Sequence, residues 1–212
     1  MRTPLSRRLA IAAASLALGA AGCGTAAPAS PSGQAAVLQW PAPPDPMERT
    51  VHAGLTPQPK EFLTNHVHAH LDVFVDGEPV RVPSGIGIKI DDAAVRRFNE
   101  RDGTTSYGGI DMCNQPCISP LHTHDATGII HTESASPEPN TLGEFFTEWG
   151  VALDASCVST FCSPITKIAI YIDGELTTGD PRAIQLTDHR EIAVVIGTPP
   201  AQIPKTADFS NA

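Results

Sequence analysis

The chain has 212 residues, with 14 basic and 23 acidic side chains and a formal net charge of −9 when histidine is neutral. An acidic chain is repelled by phosphate backbones and by anionic lipid, so this composition excludes nucleic acid as a partner. The sign of the charge favours cations as partners.

The first 22 residues predict a lipoprotein signal peptide. Arg2, Arg7 and Arg8 precede an apolar run at residues 9–21, which is too short to span a bilayer. Residues 20–23, Ala-Ala-Gly-Cys, resemble the lipobox of bacterial lipoproteins, whose cysteine is lipidated and becomes the first mature residue. The resemblance implies a lipid anchor at Cys23 on the extracytoplasmic face of the cell membrane. The alternative is ordinary cleavage beside a chance cysteine.

Three further segments follow the signal peptide. Residues 23–60 are rich in proline and alanine and predict a membrane tether, although residues 47–55 are expected to dock locally. Residues 61–200 are expected to form a single β-rich metal-binding domain, and residues 201–212 a flexible tail. Without residues 1–22 the chain keeps 11 basic and 23 acidic residues, a formal charge of −12.

The first strong signal in the domain is a strict alternation of apolar and polar residues, which predicts a β-strand with one core face and one histidine face. The two faces are Val67, Ala69, Leu71, Val73 and Val75 on one side, and His66, His68, His70, Asp72, Phe74 and Asp76 on the other.

Two Asp-Gly pairs predict tight hairpins. Asp76-Gly77 should lead into an edge strand at residues 79–83, and residues 167–175 repeat the same pattern around Asp173-Gly174. The second copy has no histidine, so the scaffold does not need one there. Residues 184–186 and 191–196 predict further strands, the latter in a central position, whereas residues 91–107 are expected to form a loop with one helical turn.

Residues 141–150 predict an amphipathic helix. Thr141 and Glu144 form a capping box, and Gly150 is a helix stop. The helical spacing of its aromatic residues favours packing of Trp149 on the sheet rather than contact with a substrate. The predicted fold class is therefore α+β, mainly β, with an antiparallel or mixed sheet, two Asp-Gly hairpins and one packed amphipathic helix.

Six of the eight histidines lie in two clusters, which favours a shared site for a metal ion. Residues two apart on a strand are about 6.6 Å apart, so at most two histidines of the first cluster should ligate one ion. We expect His68 and His70 to meet His122 and His124, with His131 able to replace one of them. The candidate ligands are His66, His68, His70, His122, His124 and His131, and the candidate second ligand shell is Asp72, Asp125 and Glu133. Nitrogen ligands favour copper or zinc as the cofactor.

The four cysteines after Cys23 predict two disulfides, because the count is even and the chain is expected to be exported. They are Cys113, Cys117, Cys157 and Cys162, and their spacing leaves three connectivities open. The alternative is a zinc site built from thiolates.

Residues 66–197 resemble an uncharacterised group of secreted bacterial and archaeal domains. The shared motifs are a His-x-His strand that ends in an Asp-Gly turn, Leu-His-Thr-His-Asp at residues 121–125, Gly-Ile-Ile-His at residues 128–131 and a Leu-Gly-x-Phe-Phe helix. The group brings no established activity.

Three functions remain open from the sequence. The first is a membrane-anchored, extracytoplasmic protein that sequesters, delivers or senses copper or zinc. The second is a metal-dependent enzyme, of zinc hydrolase or copper oxidase type, with a three-histidine site and Glu133 or Asp125 as general base. The third is a lipoprotein with a structural or partner-binding role.

Overall fold

The computed structural model describes residues 39–210. The predicted signal peptide, the lipidation site Cys23, the tether up to residue 38 and residues 211–212 of the tail lie outside the described residues. The helices are α1 (Pro46–His52), α2 (Leu142–Trp149) and a 3-10 turn at Pro181–Ala183. The strands are β1 (Asn65–Val75), β2 (Glu78–Val80), β3 (Arg96–Asn99), β4 (Thr105–Gly108), β5 (Leu121–His122), β6 (Ile129–Ser134), β7 (Cys157–Val158), β8 (Phe161–Cys162), β9 (Ile168–Ile172), β10 (Glu175–Leu176) and β11 (Glu191–Ile196).

Seven strands form one mixed sheet in the order β10-β9-β11-β1-β6-β5, with β2 paired to the end of β1. The pairing of β1 with β11 is parallel, and the other pairings in this sheet are antiparallel. This architecture confirms the predicted α+β, mainly β, class. Strand β11 lies between β9 and β1, in the central position that its apolar sequence predicts.

The apolar face of β1 lies at the centre of the core, as its alternating sequence predicts. Ala69, Leu71 and Val73 are at most 2% exposed. Helix α2 contributes Phe145 and Trp149 to the same buried cluster. The indole of Trp149 is 1% exposed, which confirms that it is a core residue.

Helix α2 begins with the predicted capping box. The hydroxyl of Thr141 accepts a hydrogen bond from the backbone N–H of Glu144, and the Glu144 carboxylate accepts one from the N–H of Thr141 at 2.6 Å. The helix ends at Gly150, which has a φ of 74°. Glycine adopts this left-handed conformation at little cost, so the predicted stop is confirmed.

Both predicted hairpins are present. Asp76 and Gly77 connect β1 to β2 with φ angles of 50° and 87°, and Asp173 and Gly174 connect β9 to β10 with φ angles of 52° and 82°. Two successive positive φ angles are the requirement of the two-residue turn that Asp-Gly favours.

Two predictions about local structure are wrong. Residues 91–107 contain no helical turn: β3 and β4 pair as a hairpin around the Asp102-Gly103 turn. All four residues of β3 are exposed, so no apolar alternation marks this strand in the sequence. Residues 184–186 also form no strand, because the only sheet-like pairing described there is a single bridge between Thr141 and Gln185.

The cysteines form two local disulfides, Cys113–Cys117 and Cys157–Cys162. This arrangement resolves the three connectivities that the sequence leaves open. It also excludes the thiolate zinc site, because oxidised sulfur is not a thiolate ligand.

The described part of the predicted tether contacts the domain. Helix α1 packs on α2, and the indole N–H of Trp149 donates a hydrogen bond to the carbonyl of Trp40 at 2.9 Å. In the tail, the ring of Phe209 lies 4.6 Å from the ring of His189. Among residues 39–210, no helix has the length and the apolar content that crossing a bilayer requires.

Candidate metal centre

Three adjacent strands bring the two histidine clusters together on one face of the sheet. In the pairing of β1 with β6, His68 lies opposite His131 and His66 lies opposite Glu133. In the pairing of β6 with β5, His131 lies opposite His122. The row of three histidines therefore follows from strand register.

His122 and His124 face each other through their Nε2 atoms, which are 3.2 Å apart. The Nδ1 of His122 lies 2.9 Å from the carbonyl oxygen of Ser119, and the Nδ1 of His124 lies 2.6 Å from that of Tyr107. A carbonyl oxygen only accepts hydrogen bonds, so each Nδ1 must carry the proton. In the neutral rings, two Nε2 lone pairs then point toward one another.

This arrangement has the geometry of a chelating pair. Two nitrogens 3.2 Å apart, each about 2.0–2.1 Å from a zinc ion, subtend roughly 100° at the ion, which is near the tetrahedral angle. Without a cation or a proton between them, two facing lone pairs repel each other. The pair is therefore suited to hold a cation.

The segment around Thr123 is fixed by hydrogen bonds of this residue, which we call the clamp. The Thr123 hydroxyl donates to the carbonyl of Pro83 at 2.8 Å and accepts from the N–H of Ile86. The Thr123 carbonyl accepts from the N–H of Gly85. The clamp holds the chain at the point where β5 ends, and so positions His124 beside His122.

The ring of His131 lies at the centre of the cluster. It stacks on His122 with an interplanar angle of 9° and a centroid distance of 5.5 Å. Its centroid lies 4.4 Å from that of His124 and 4.6 Å from that of His68. His131 is 7% exposed and His122 is fully buried, so this part of the cluster is shielded from solvent.

Several buried polar atoms in the cluster have no protein hydrogen-bond partner among the described residues. They are Nε2 of His68, Nδ1 of His131 and Oε2 of Glu133. Glu133 Oε1 lies 3.6 Å from His131 Nδ1, which is too long for a hydrogen bond. Buried polar atoms without partners are costly, and an ion bound here would supply the missing partner.

The potential ligands form two overlapping sets, each with ligand atoms within 4.8 Å of one another. We call His122, His124, His131 and Glu133 the inner set. We call His66, His68, His131 and Glu133 the outer set, because the side chain of His66 is 41% exposed. His131 and Glu133 belong to both sets.

Burial keeps the imidazoles of His68, His122 and His124 neutral near pH 7. Burial, followed by the charges of His124 and His131, lowers the pKa of His122 well below its usual value. Burial is also the main cause that lowers the pKa of His124, and with His131 it lowers the pKa of His68 to about 4. A metal ion needs the neutral ring, so these shifts favour ligation.

Glu133 supplies a carboxylate between the two sets. Burial acts to raise its pKa, but His131 and His124 outweigh burial and lower the pKa overall. Its Oε1 lies 3.3 Å from the Nε2 of His66. We expect an ionised carboxylate at neutral pH, which is an oxygen ligand for a cation.

His70 lies outside both sets, although it alternates with His66 and His68 on β1. In the register of β1 with β11 it lies opposite Glu191, and its Nδ1 is 2.8 Å from the Glu191 carboxylate. Its Nε2 donates to the carbonyl of Thr127 at 2.9 Å. Burial acts to lower the pKa of His70, but the hydrogen bond with Glu191 raises it overall. The structure therefore does not bring His70 together with His68.

Among the described residues, the predicted second-shell aspartates form no hydrogen bond or ion pair with the two sets. Asp125 accepts hydrogen bonds from the N–H and the hydroxyl of Thr127. Asp72 lies 3.9 Å from Nδ1 of His70 and, with Glu191, forms a third set of possible ligands. Backbone carbonyls, not carboxylates, accept the Nδ1 hydrogen bonds of His122 and His124. A sequence does not reveal such contacts.

Glu61 is a site residue that the sequence analysis missed. Its carboxylate lies 3.8 Å from the Nε2 of His124, and burial followed by the charge of Glu133 raises its pKa. Glu61 and His124 both line an open cleft of about 770 Å³. The cleft connects the inner set with solvent.

Ser119 and Glu148 form a second group that the sequence analysis missed. The Ser119 hydroxyl donates a hydrogen bond to the carboxyl of Glu148, and the Ser119 carbonyl accepts one from the Nδ1–H of His122. Glu148 occupies a position on the buried stripe of α2, three residues after Phe145. An ionisable residue among the buried positions of an amphipathic helix is unusual, so Glu148 itself was the sequence signal for this group.

Compared with known proteins, the chain matches no protein-family model, no curated protein sequence and no solved structure. The feature that bears on function is therefore the cluster of histidine and glutamate side chains, which could hold a metal ion.

Proposed function

We propose that this protein binds a divalent transition-metal ion through the inner set. The observation that carries the proposal is the pair of Nε2 lone pairs of His122 and His124, which face each other at 3.2 Å and are fixed by Nδ1 hydrogen bonds to carbonyl groups. His131 and the ionised Glu133 complete a four-ligand shell.

Zinc and copper are the ions that this shell favours. Three imidazole nitrogens and one carboxylate form a donor set of intermediate softness, whereas calcium and magnesium require oxygen ligands. Zinc prefers the tetrahedral angle that the His122 and His124 nitrogens support. Copper(II) binds nitrogen ligands more tightly in general, so the choice between the two depends on supply.

The proposed place of action is the extracytoplasmic face of the cell membrane, with the domain anchored through lipidated Cys23. Support comes from the sequence: the basic start, the short apolar run and the lipobox-like residues 20–23. The two disulfides agree with an oxidising compartment. The proposed roles there are sequestration, delivery or sensing of copper or zinc.

Elemental analysis of the untagged protein tests metal binding. We expect at least one stoichiometric ion after zinc loading and gel filtration, and one ion fewer in the variant His122→Ala/His124→Ala. The matched control is His52→Ala/His189→Ala, which removes two exposed histidines outside the cluster. Equal metal content in the parent and the first variant would overturn the proposal.

Metabolic labelling with palmitate tests the anchor. We expect label in the parent protein and its recovery in the membrane fraction, and neither result for Cys23→Ala. A parent protein without label, released to the soluble extracytoplasmic fraction, would support the alternative of ordinary cleavage.

A second candidate function is metal-dependent catalysis. The observation that favours it is the cleft, which gives solvent access to His124 and places Glu61 beside it. A carboxylate next to a metal-bound water is suited to act as a general base. Zinc-loaded protein that hydrolyses an activated ester, and loses this activity in Glu61→Gln while it retains zinc, would favour catalysis over storage.

A further inference from the structure

The cluster contains more ligands than one ion can use. Six side chains contribute to the two sets, whereas a zinc-like ion takes about four ligands. An ion in the inner set uses the Nε2 atoms of His122 and His124. Such an ion leaves His66 and His68, which lie on β1 beside β6, without a role as ligands.

The unused groups are themselves arranged as ligands. The rings of His66 and His68 lie 4.7 Å apart, and the Nε2 of His68 is buried without a protein hydrogen-bond partner in the part of the chain that the structure describes. Glu133 Oε1 lies 3.3 Å from the Nε2 of His66, while Oε2 of the same carboxylate is buried and also without a partner there. These atoms surround a second position beside the inner set.

Glu133 lies at the point where the two sets overlap. A carboxylate has two oxygens, each of which is able to bind a separate cation, and two-metal sites hold their ions about 3.5–4 Å apart. The two sets share His131 and Glu133, and the ring of His131 lies 4.6 Å from that of His68 and 4.4 Å from that of His124, so the two sets are adjacent.

The charges also suit a pair of cations. The carboxyl group of Glu133 belongs to both sets, and the carboxyl group of Glu61 lies at the edge of the inner set, 3.8 Å from His124. Asp188 lies beside β1, where its carboxylate accepts a hydrogen bond from the N–H of His68 at 3.3 Å. Three acidic groups therefore lie next to the histidine rings. A neutral imidazole does not repel a cation, and the acidic groups attract one when they are ionised.

We propose that the histidine face is a two-metal centre, with one transition-metal ion in the inner set and a second held by His66 and His68, and with the carboxylate of Glu133 shared between them. This inference rests on the proposed metal-binding function. It assigns His66 and His68 as ligands of an outer, more exposed ion.

Metal counting with matched variants tests the inference. The untagged full chain is stripped with a chelator, loaded separately with zinc and with copper, passed through gel filtration and analysed for metal. We expect two ions per chain in the parent, one in His66→Gln/His68→Gln and one in His122→Gln/His124→Gln. The control His52→Gln/His189→Gln should keep two ions.

The counts distinguish the two proposals. One ion in the parent, with one also in the His66→Gln/His68→Gln variant, would overturn the two-metal centre and leave the proposed function intact. No ion in the parent would overturn both. Loss of both ions, or of neither, from a His66→Gln/His68→Gln variant with the parent's circular dichroism spectrum would also overturn the two-metal centre.

Copper resonance tests the shared carboxylate. Two copper(II) ions that share Glu133 should couple, so the parent should show a half-field signal and an integrated spin below its copper content. The His66→Gln/His68→Gln variant should show the signal of a single uncoupled ion. Two uncoupled ions in the parent would overturn the shared ligand.

Discussion

Ser119 connects helix α2 to the candidate metal centre: its hydroxyl donates a hydrogen bond to the buried carboxyl of Glu148, and its carbonyl accepts a hydrogen bond from the Nδ1–H of His122. Burial raises the pKa of Glu148 to about 8. The carboxyl is therefore neutral at neutral pH and carries a proton inside the core.

The pH dependence of stability should reveal this proton. The folded pKa of about 8 exceeds the ordinary value of 4.5, so between these pH values the folded state holds a proton that the unfolded state releases. Stability then falls as pH rises through this window. The neutral Glu148→Gln should remove a penalty on the order of 3 kcal/mol at pH 7.

Urea unfolding of the metal-free proteins between pH 5 and pH 8 measures the effect. The stability difference between Glu148→Gln and the parent should grow with pH, whereas Glu138→Gln, at an exposed position, should follow the parent. Parallel curves for the parent and Glu148→Gln would show that the carboxyl is already ionised in the folded state.

Zinc retention should persist into mildly acidic solution. Burial first, and neighbouring histidines second, lower the pKa values of His122 and His124 below the usual 6.5. Protons therefore compete with the ion only at lower pH. We expect half of the zinc to be lost below pH 6 in dialysis at stepped pH. Half-loss at pH 6.5 or above would indicate ordinary, exposed imidazoles.

The same shifts predict acid sensitivity of the metal-free protein. The unfolded chain binds protons at these histidines near pH 6.5, and the folded chain does not, so stability is present above that value and is lost as pH falls through it. His122→Gln/His124→Gln should show a smaller loss between pH 7 and pH 5 in urea unfolding. An unchanged slope would contradict the prediction.

Gly128 should be intolerant of a side chain. It has a φ of 96°, and a Cβ there would lie 2.7 Å from the carbonyl of Leu71 and 2.9 Å from Nε2 of His70. Gly128→Ala therefore combines a left-handed backbone with a steric clash, and should cost about 3 kcal/mol in unfolding free energy.

Gly103 offers a matched control for the backbone effect. Its φ is 84°, and a Cβ there would meet no atom of the described residues within 4 Å. Gly103→Ala should cost only about 1 kcal/mol. Equal losses of unfolding free energy for the two variants in urea unfolding would show that the structure relaxes around the Gly128 clash at no free-energy cost.

The Cys113–Cys117 disulfide should matter for the metal centre as well as for stability. Cys117 lies two residues before Ser119, whose carbonyl contacts His122. The Cys117 carbonyl accepts a hydrogen bond from the N–H of Lys89, and its own N–H donates one to the carbonyl of Gln58. Closing so short a loop contributes about 2 kcal/mol. Cys113→Ala/Cys117→Ala should lose that stability and bind zinc more weakly.

Cys157→Ala/Cys162→Ala is the matched control, because its loop is of similar length and its cysteines belong to neither ligand set. It should lose similar stability with unchanged zinc affinity, measured by competition with a chromogenic chelator. Equal zinc affinities of the two disulfide variants would contradict a role of Cys117 in positioning the site.

Elements with a strong local signal were predicted from the sequence. The period-two alternation of β1, the Asp-Gly turns and the Thr141 to Glu144 capping box each depend on residues close together in the chain. The hairpin of β3 and β4 was missed for the opposite reason: its strands are polar or exposed, and pairing with each other rather than burial defines them.

The convergence of the two histidine clusters was predicted, but the role of each histidine was not. His70 turns toward Glu191 because β11 lies parallel to β1 along that half of the strand. Strand order and direction are long-range properties that spacing does not encode. Glu61 and the carbonyl of Tyr107 approach His124 for the same reason, from distant parts of the chain.

The short strand β5 has a consequence for exchange of the ion. It comprises two residues at the end of the sheet order, whereas β6, which carries His131 and Glu133, lies between β1 and β5. Because the hydrogen bonds of Thr123 cover β5 on the side away from β6, amide protons around His122 should exchange with deuterium slowly despite the shortness of the strand. Release of a bound cation would then begin at His124, which lines the open cleft, while the ligands on β5 and β6 stay in place.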